Sequence, residues 1–354
     1  MSSLIYTTSL ASAAVEADVT TRLDIVTVFG QVDRYHPLHR SLCVYDPVGA
    51  QGVIKQQFDD LLIIARDAGI DFDVRAYTDE GVVAGDLKAG RCDAAVVTGI
   101  RAKQFVSFSG SLDMAGGLQT YAQEKTAIDV MASDKAAPLM SEGLYEVAGV
   151  VPGGKVYLFS RERSFLDSLS AAAGRKVAVI GFDRQAEVVA NAAGTAPVAA
   201  TLASFGPLFN NHAVDMAYAP AIAFVPFELY KGMGQRGGVA DFVLGMLSLQ
   251  IVIRRSQFPV NFGAVSRRWA ADMAWDRAMP FIRRADASIP SRYWVHINGE
   301  RETKYRQMLR EVRQQLWNED WYNHRMQRLL KKIRCADDAG LAECSLDTEG
   351  GVVN

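Results

Sequence analysis

Short apolar runs alternate with amphipathic segments along the first third of the chain. An apolar, β-prone run at residues 40–46 leads into the turn sequence PVGAQG, and in the next segment apolar residues recur at helical spacing from Ile54 to Ala65, before Gly69. The pattern then predicts a strand at 72–77, a helix at 79–88 and a strand at 93–98. Alternating strands and helices predict a parallel sheet with right-handed crossovers.

The same order returns in the middle of the chain. The segments LKAGRCDAAVVTG (87–99) and LFNNHAVDMAYAP (208–220) both run from a helix through a polar turn and an aspartate into a short apolar strand. Two similar α/β modules therefore stand in tandem. The second module has predicted strands at 156–160, 176–181, 196–200 and 215–220, and predicted helices at 164–173 and 183–193.

The segments outside the modules are predicted to join two lobes and to cover them. Residues 113–154 supply a first crossing, and residues 238–254 predict a helix followed by a long apolar strand at 247–253. The remainder is predicted to be helical, with an apolar stripe on one segment and a solvated basic face on the last helix, formed by Arg325, Arg328, Lys331, Lys332 and Arg334. The predicted division is a signal segment at 1–15, lobe I at 16–125, mainly lobe II with crossing segments at 126–245, a return to lobe I with C-terminal helices at 246–334, and a tail at 335–354.

Composition narrows the class of protein. The chain has 354 residues, 22% of them charged, and a formal net charge of −2, so it carries no basic footprint for nucleic acid. No apolar run reaches the length of a membrane-spanning helix. Residues 4–15 are small and apolar and include Ala11-Ser12-Ala13, a small-x-small form typical of signal cleavage. We therefore expect an exported, periplasmic protein; an N-terminal arm is the alternative interpretation of this segment.

Four cysteines, Cys43, Cys92, Cys335 and Cys344, lack the C-x-x-C spacing of a metal site. Cys43 lies in one predicted strand and Cys92 precedes another, so adjacent strands could hold the pair at bridging distance, while Cys335 and Cys344 would close a short loop. Two disulfides, and thus an oxidising compartment, are predicted; free buried thiols are the alternative.

Motifs of catalysis and of cofactor binding do not emerge from the sequence. GMGQRG at 232–237 matches GxGxxG but follows a helix-like segment instead of a strand, which favours a helix end and loop. His36 and His39 have no carboxylate or thiol cluster beside them to complete a metal site. The prediction is a protein that is not an enzyme, with no cofactor and no metal.

The order of elements resembles that of the periplasmic solute-binding subunits of TRAP transporters, the DctP-like proteins, from about residue 41 to residue 330. The segments that carry this resemblance are CVYDPVGAQG, LKAGRCDAAVVTG and GRKVAVIGFDRQAEVVANAAGTAPVAATLASF. The resemblance implies an α/β, two-lobed periplasmic-binding-protein-like fold, in which each lobe is a mainly parallel sheet flanked by helices, with a helical C-terminal segment.

One position departs from that family. Where the family has an arginine that pairs with the carboxylate of an organic acid, counting from Gly174 and Lys176 places Ala178 here. The chain is therefore more similar to divergent solute-binding proteins of the AdeT type, and an organic acid is not implied as its ligand.

Candidate ligand-binding residues follow from the rule that open parallel sheets bind ligands beyond the carboxyl ends of their strands. Arg101 is the favoured contact for an anion, with a solvated surface position as the alternative, and Arg184 is a candidate replacement for the missing arginine. For Asp46, the alternative to ligand binding is that it stabilises a turn. For Asp183, the favoured role is to cap the helix that follows it. The complete set is Tyr45, Asp46, Gln51, Thr98, Arg101, Asp183, Arg184, Tyr218 and Asn261.

These features predict an extracytoplasmic solute-binding protein. Two lobes would close about a hinge over a small polar molecule, which could be an anion, and deliver it to a membrane permease or envelope transport complex. Two alternatives stay open. One is an accessory protein of an envelope or drug-efflux assembly, and the other is an enzyme on the same fold.

Overall fold

The computed structural model describes residues 36–353, so the predicted signal segment at 1–15 lies outside the described residues. Its strands are β1 (Leu38–Tyr45), β2 (Ile70–Tyr77), β3 (Ala94–Thr98), β4 (Ser141–Glu142), β5 (Tyr145–Ser160), β6 (Lys176–Ile180), β7 (Ala196–Ala200), β8 (Met216–Pro220), β9 (Gly238–Ala240), β10 (Gly245–Arg254) and β11 (Trp294–Val295).

The α-helices flank these strands and dominate the C-terminal third. They are α1 (Val53–Asp67), α2 (Glu80–Lys88), α3 (Gly99–Ala102), α4 (Ser107–Gly110), α5 (Tyr121–Ala132), α6 (Leu169–Ala172), α7 (Arg184–Ala192), α8 (Leu202–Asn210), α9 (Leu229–Met233), α10 (Phe262–Trp269), α11 (Trp275–Ser288), α12 (Gly299–Asn318) and α13 (His324–Asp337). A π-helical turn at Ala270–Ala274 joins α10 to α11.

The strands form one continuous sheet with a parallel group at each end. Its order is β2-β1-β3-β10-β5-β8-β6-β7. In the first half β1 pairs in parallel with β2 and β3, and in the second half β6 pairs in parallel with β7 and β8. The two halves correspond to the two tandem modules. The predicted α/β fold with two lobes is confirmed.

The antiparallel strands β5 and β10 connect the halves, because β10 pairs with β3 of the first half, β5 pairs with β8 of the second half, and the two strands pair with each other. Their register shifts twice, between Leu247 and Ser248 and again between Ile251 and Val252. Opposite the first shift lies Gly154, whose φ of 106° is a conformation that residues with a side chain rarely adopt. Both shifts leave an extra residue on β5, Gly153 at the first and Ala148 at the second, and bulges bend the strand that carries them, so β5 is bent at Gly153 where the halves meet.

Two predicted helices differ from the structure. Residues 238–254 contain strands β9 and β10 and no helix, because Gly238 and Gly245 disfavour a helix and the β-branched residues at 251–253 favour extended backbone. The predicted helix at 164–173 is split into a 3-10 turn at Arg163–Leu166 and α6, which Ser168 caps by accepting a hydrogen bond from the amide of Ala171 at 3.1 Å.

Both predicted disulfides are present in the structure. Cys43 of β1 is bonded to Cys92, and Cys335 at the end of α13 is bonded to Cys344. The first pair is completely buried between neighbouring strands of the first half. The bond therefore ties β1 to the start of β3, upstream of the carboxyl ends of both strands.

Buried arginines fix the C-terminal segment to the rest of the protein. Arg313 of α12 and Arg334 of α13 both pair with Glu343 and Glu349, and both donate to the backbone carbonyls of the turn at Gly116 and Gly117. All four charged side chains are at least nine-tenths buried.

The predicted solvated face of the last helix is wrong for two of its members. Lys331 and Arg334 are buried. Lys331 Nζ donates to the carbonyls of Leu346, Thr348 and Gly351, each at 2.8 Å, so the tail replaces water around the ammonium group. Within residues 36–353, none of the helices combines the length and the apolar character that crossing a bilayer requires.

Candidate functional site

A cavity of about 160 Å³ lies where the two halves of the sheet meet. Its walls come from both modules, from the crossing strands at Pro152, Gly153 and Leu247, and from helix α11 at Phe281. It lies beside the carboxyl ends of β1, β3, β6 and β8. This is the position at which open parallel sheets bind ligands.

The carboxyl end of β1 places Tyr45 and Asp46 against the cavity. The Asp46 carboxylate accepts hydrogen bonds from the backbone amides of Val48 at 2.9 Å and Lys55 at 3.0 Å, so it braces the turn that leads into α1. Gly52 lies against this carboxylate, and a Cβ there would come within 1.7 Å of it. The turn therefore requires glycine at position 52.

Tyr45 presents a hydroxyl group without a protein partner. Its side chain is 4% exposed, and within the part of the chain that the structure describes its hydroxyl makes no hydrogen bond. Burial, followed by the nearby charges of Glu80 and Asp46, raises the pKa of Tyr45, so the phenol stays protonated at neutral pH. The hydroxyl is available to a ligand both as a donor and as an acceptor.

The carboxyl end of β3 is joined to a buried glutamate. The amide of Thr98 donates to Glu80 Oε1 at 2.5 Å, and Arg101 Nε lies 3.6 Å from Glu80 Oε2. Burial raises the pKa of Glu80, while Thr98 and Arg101 act in the opposite direction. The Arg101 guanidinium also lies 3.5 Å from the centre of the Phe182 ring, so this arginine of the first half contacts the second half.

The carboxyl end of β6 leads to a buried aspartate. Asp183 Oδ1 accepts from the amide of Ala186 at 3.1 Å and caps α7, while Oδ2 accepts from the hydroxyl of Tyr218 at 2.9 Å. Burial raises the pKa of Asp183 to about 6. Both residues line the cavity.

The structure brings together most of the predicted site residues but not all of them. Tyr45, Asp46, Thr98, Asp183 and Tyr218 line the cavity, and Arg101 follows the lining residue Ile100.

Three candidates lie elsewhere. Gln51 is exposed, and its carbonyl accepts from Gln56. Arg184 pairs with Glu187 at 3.0 Å and Glu319 at 3.3 Å on the surface, so it does not take the place of the missing arginine. Asn261 is exposed at the start of α10.

Glu80 and Phe182 are lining residues that the sequence did not single out. Glu80 follows the N-cap residue Asp79, and an acidic residue in a first helical turn is ordinarily explained by the helix dipole. Phe182 lies in a predicted loop, where periodicity gives no information about burial.

A further buried carboxyl group, that of Asp113, lies at the boundary between the halves. Asp113 accepts from the amide of Ser248 at 3.0 Å and from its hydroxyl at 2.6 Å. Burial raises the pKa of Asp113 to about 7. Asp113 and Asp183 also line a neighbouring, smaller cavity of about 100 Å³ in the second half.

This raised pKa makes stability depend on pH. Between the pKa of an unfolded aspartate, about 3.9, and the folded value near 7, the folded state binds more protons than the unfolded state, so the free energy of unfolding falls as the pH rises. Asp113→Asn removes this contribution. Its stability relative to the unchanged protein should rise between pH 4 and pH 7, by up to about 4 kcal/mol, and level off above that range.

Urea denaturation at pH 5, 6, 7 and 8 measures the effect. Asp73→Asn is the matched control, because Asp73 is exposed and pairs only at the surface with Arg75; its difference from the unchanged protein should stay within about 0.5 kcal/mol at each pH. A difference for Asp113→Asn that does not change with pH would contradict the prediction.

Comparison with known proteins identifies the family. The family model described as solute-binding protein AdeT 1/2 matches residues 56–349. The "Probable solute-binding protein AdeT1" of Acinetobacter baumannii is 38% identical over 306 residues, which are 86% of this chain and all of that protein. The "Probable solute-binding protein AdeT2" of the same species is 24% identical over 57% of this chain and 84% of that protein.

Solved structures give the fold. A TRAP periplasmic solute-binding protein from Ralstonia eutropha with bound (S)-2-acetolactate superposes with a TM-score of 0.65 at 16% identity, over 84% of this chain and 98% of that chain. One from Rhodoferax ferrireducens with bound malonate gives a TM-score of 0.66 at 12% identity, over 85% and 99%. The fold is that of these two-lobed proteins, and by its sequence the chain belongs to the AdeT 1/2 family of solute-binding proteins.

Proposed function

We propose that the protein captures a small organic molecule in the cavity between its halves, in the periplasm, and delivers it to a membrane permease. The observation that carries the proposal is a cavity lined from both modules and bounded by the crossing strands β5 and β10. A ligand that contacts both halves stabilises the closed arrangement relative to an open one. The bulge of β5 at Gly153 is the place where the angle between the halves can change.

We further propose that the site binds without catalysis. The carboxylates at the cavity are engaged in structural hydrogen bonds, Asp46 with a turn and Asp183 with a helix end. A general acid or base would instead need to face a reacting group at hydrogen-bond distance. Solved relatives of the fold support binding of small organic molecules, since two of them hold acetolactate and malonate.

Native mass spectrometry of freshly purified protein, followed by thermal denaturation with a panel of acids, amines and neutral metabolites, tests the proposal. At a concentration a hundred times its Kd, a ligand should stabilise the protein by about 2.7 kcal/mol. Phe182→Ala should weaken binding at least tenfold, because Phe182 supplies lining area from the second half.

Tyr230→Phe serves as the control, since Tyr230 is an exposed aromatic residue that does not line the cavity. It should bind like the unchanged protein. A protein that retains no small molecule and is stabilised by no member of the panel would contradict the proposed function.

A further inference from the structure

The cavity is apolar and acidic. Within residues 36–353, its lining includes the carboxylates of Asp46, Glu80 and Asp183 but no lysine, arginine or histidine. Most other lining side chains are aliphatic or aromatic. In such surroundings an anionic ligand would meet charges of its own sign with little water to screen them.

The position to which the family resemblance assigns a carboxylate-binding arginine has no charge here. Ala178 is completely buried in β6, between Val198 of β7 and Ala217 of β8. The guanidinium of Arg101 is already beside Glu80 and stacked on Phe182, so a ligand carboxylate would have to compete with both contacts.

Within the described residues, neither Asp46 nor Asp183 pairs with a cation, and of the two only Asp183 accepts from a side chain that lines the cavity, the hydroxyl of Tyr218. Both oxygens of Asp46 accept from backbone amides at a turn, and Glu80 is close to Arg101. Asp183 accepts only from neutral donors, the amide of Ala186 and the hydroxyl of Tyr218. Each of its oxygens keeps a further lone pair that can accept a hydrogen bond.

Two polar groups in the cavity walls, the Tyr45 hydroxyl and Glu80 Oε2, make no hydrogen bond within the described residues. The Tyr45 side chain is 4% exposed and its hydroxyl has no partner among the described residues, and Glu80 Oε2 makes no hydrogen bond there. Buried polar atoms are usually satisfied, so their presence at a cavity points to groups that an occupant supplies. When ionised, Glu80 Oε2 can accept a hydrogen bond, and a donor on the ligand would share this oxygen with Arg101 Nε, which lies 3.6 Å from it.

On the basis of the proposed function, we propose that this site takes an organic cation: a compact aliphatic or aromatic body that carries a protonated amine, with the ammonium group near Asp183. The aromatic side chains of Phe182, Phe205 and Tyr218 supply the apolar and π surface for the body. The ammonium supplies the donors that the acidic lining lacks.

Three matched probes test the ligand class on the full chain after dialysis from denaturant: 3-phenylpropan-1-amine, 3-phenylpropan-1-ol and 3-phenylpropanoate. They share an aromatic body and differ in the charge of the polar group. Calorimetry at pH 7.5 should give the amine at least tenfold tighter binding than the alcohol, and no measurable binding of the carboxylate.

Substitutions of single aspartates test whether the ammonium group binds near Asp183. Asp183→Asn keeps an oxygen that can cap α7 and should lower the amine affinity at least tenfold while changing that of the alcohol less than twofold. Asp59→Asn is the control, because Asp59 pairs with Lys55 outside the cavity and should leave all three probes unchanged. The comparison of probes on the unchanged protein does not depend on whether Asp183→Asn folds.

The outcomes separate this inference from the proposed function. Tighter binding of the carboxylate or the alcohol than of the amine overturns the cation inference and leaves the proposed function standing. If none of the three probes binds, mixed pools of amines, neutral molecules and acids are titrated. Binding confined to acids or neutral molecules overturns the ligand class alone, and an absence of binding to every pool contradicts both.

Discussion

Arg313→Met is expected to lower the free energy of unfolding by about 3–5 kcal/mol, since removing one member of a buried ion-pair network leaves its partners charged and unpaired. Arg313 Nε lies 2.5 Å from Glu349 Oε1, and the same guanidinium pairs with Glu343 and donates to Gly116. Methionine fills similar volume but offers no donor. Chemical denaturation followed by fluorescence measures the loss.

The control is an arginine of the same helix that makes only a surface pair. Arg306 lies 2.6 Å from Glu302 and is 42% exposed. Arg306→Met should change stability by less than about 0.5 kcal/mol. Equal effects of the two substitutions would show that the buried network does not hold the C-terminal segment as the structure indicates.

Removal of the Cys43–Cys92 disulfide, by Cys43→Ala together with Cys92→Ala, is expected to destabilise the protein by about 4 kcal/mol. The bond closes a loop with a sequence separation of 49, and a cross-link restricts the unfolded chain more when its loop is longer. It also lies two residues before Tyr45, so its loss should loosen the first wall of the cavity.

The second disulfide provides the comparison. Cys335 and Cys344 are separated by 9 residues, so Cys335→Ala with Cys344→Ala should cost less, about 2.5 kcal/mol. Denaturation of both double variants, with and without reductant, gives the two values and shows whether either variant still responds to reduction. A larger loss from the short loop than from the long one would contradict the loop-length argument.

The alternation of strands and helices was sufficient to predict both parallel modules, because each strand is a short apolar run with a turn signal after it. The capping role of Asp183 could be predicted for the same reason, since the N-cap of a helix that follows a strand is a local feature of the sequence. Residues 238–254 show the limit of this approach. A strand buried on both faces has no alternation that distinguishes it from a buried helix.

Interactions between distant parts of the chain could not be predicted from periodicity. The side chain of Glu80 points inward because it accepts from the amide of Thr98 in β3. Its position at the start of α2 would by itself predict a side chain exposed to solvent. Arg334 is buried because Glu343 and Glu349 fold back over it. Arg184, selected because it follows a strand, finds Glu319 of a distant helix and faces the surface.

The stacking of Arg101 on Phe182 uses protein groups alone, and an open arrangement of the halves would lack it. If the halves open and close as proposed, this contact would raise the population of the closed conformer before any solute arrives. Because apparent affinity scales with the fraction of molecules already competent to bind, a solute has to enter during the time the halves spend apart. Under the proposed function, Arg101 would set a balance between tight retention and rapid loading, and with it how often a permease meets an empty protein with the shape of a full one.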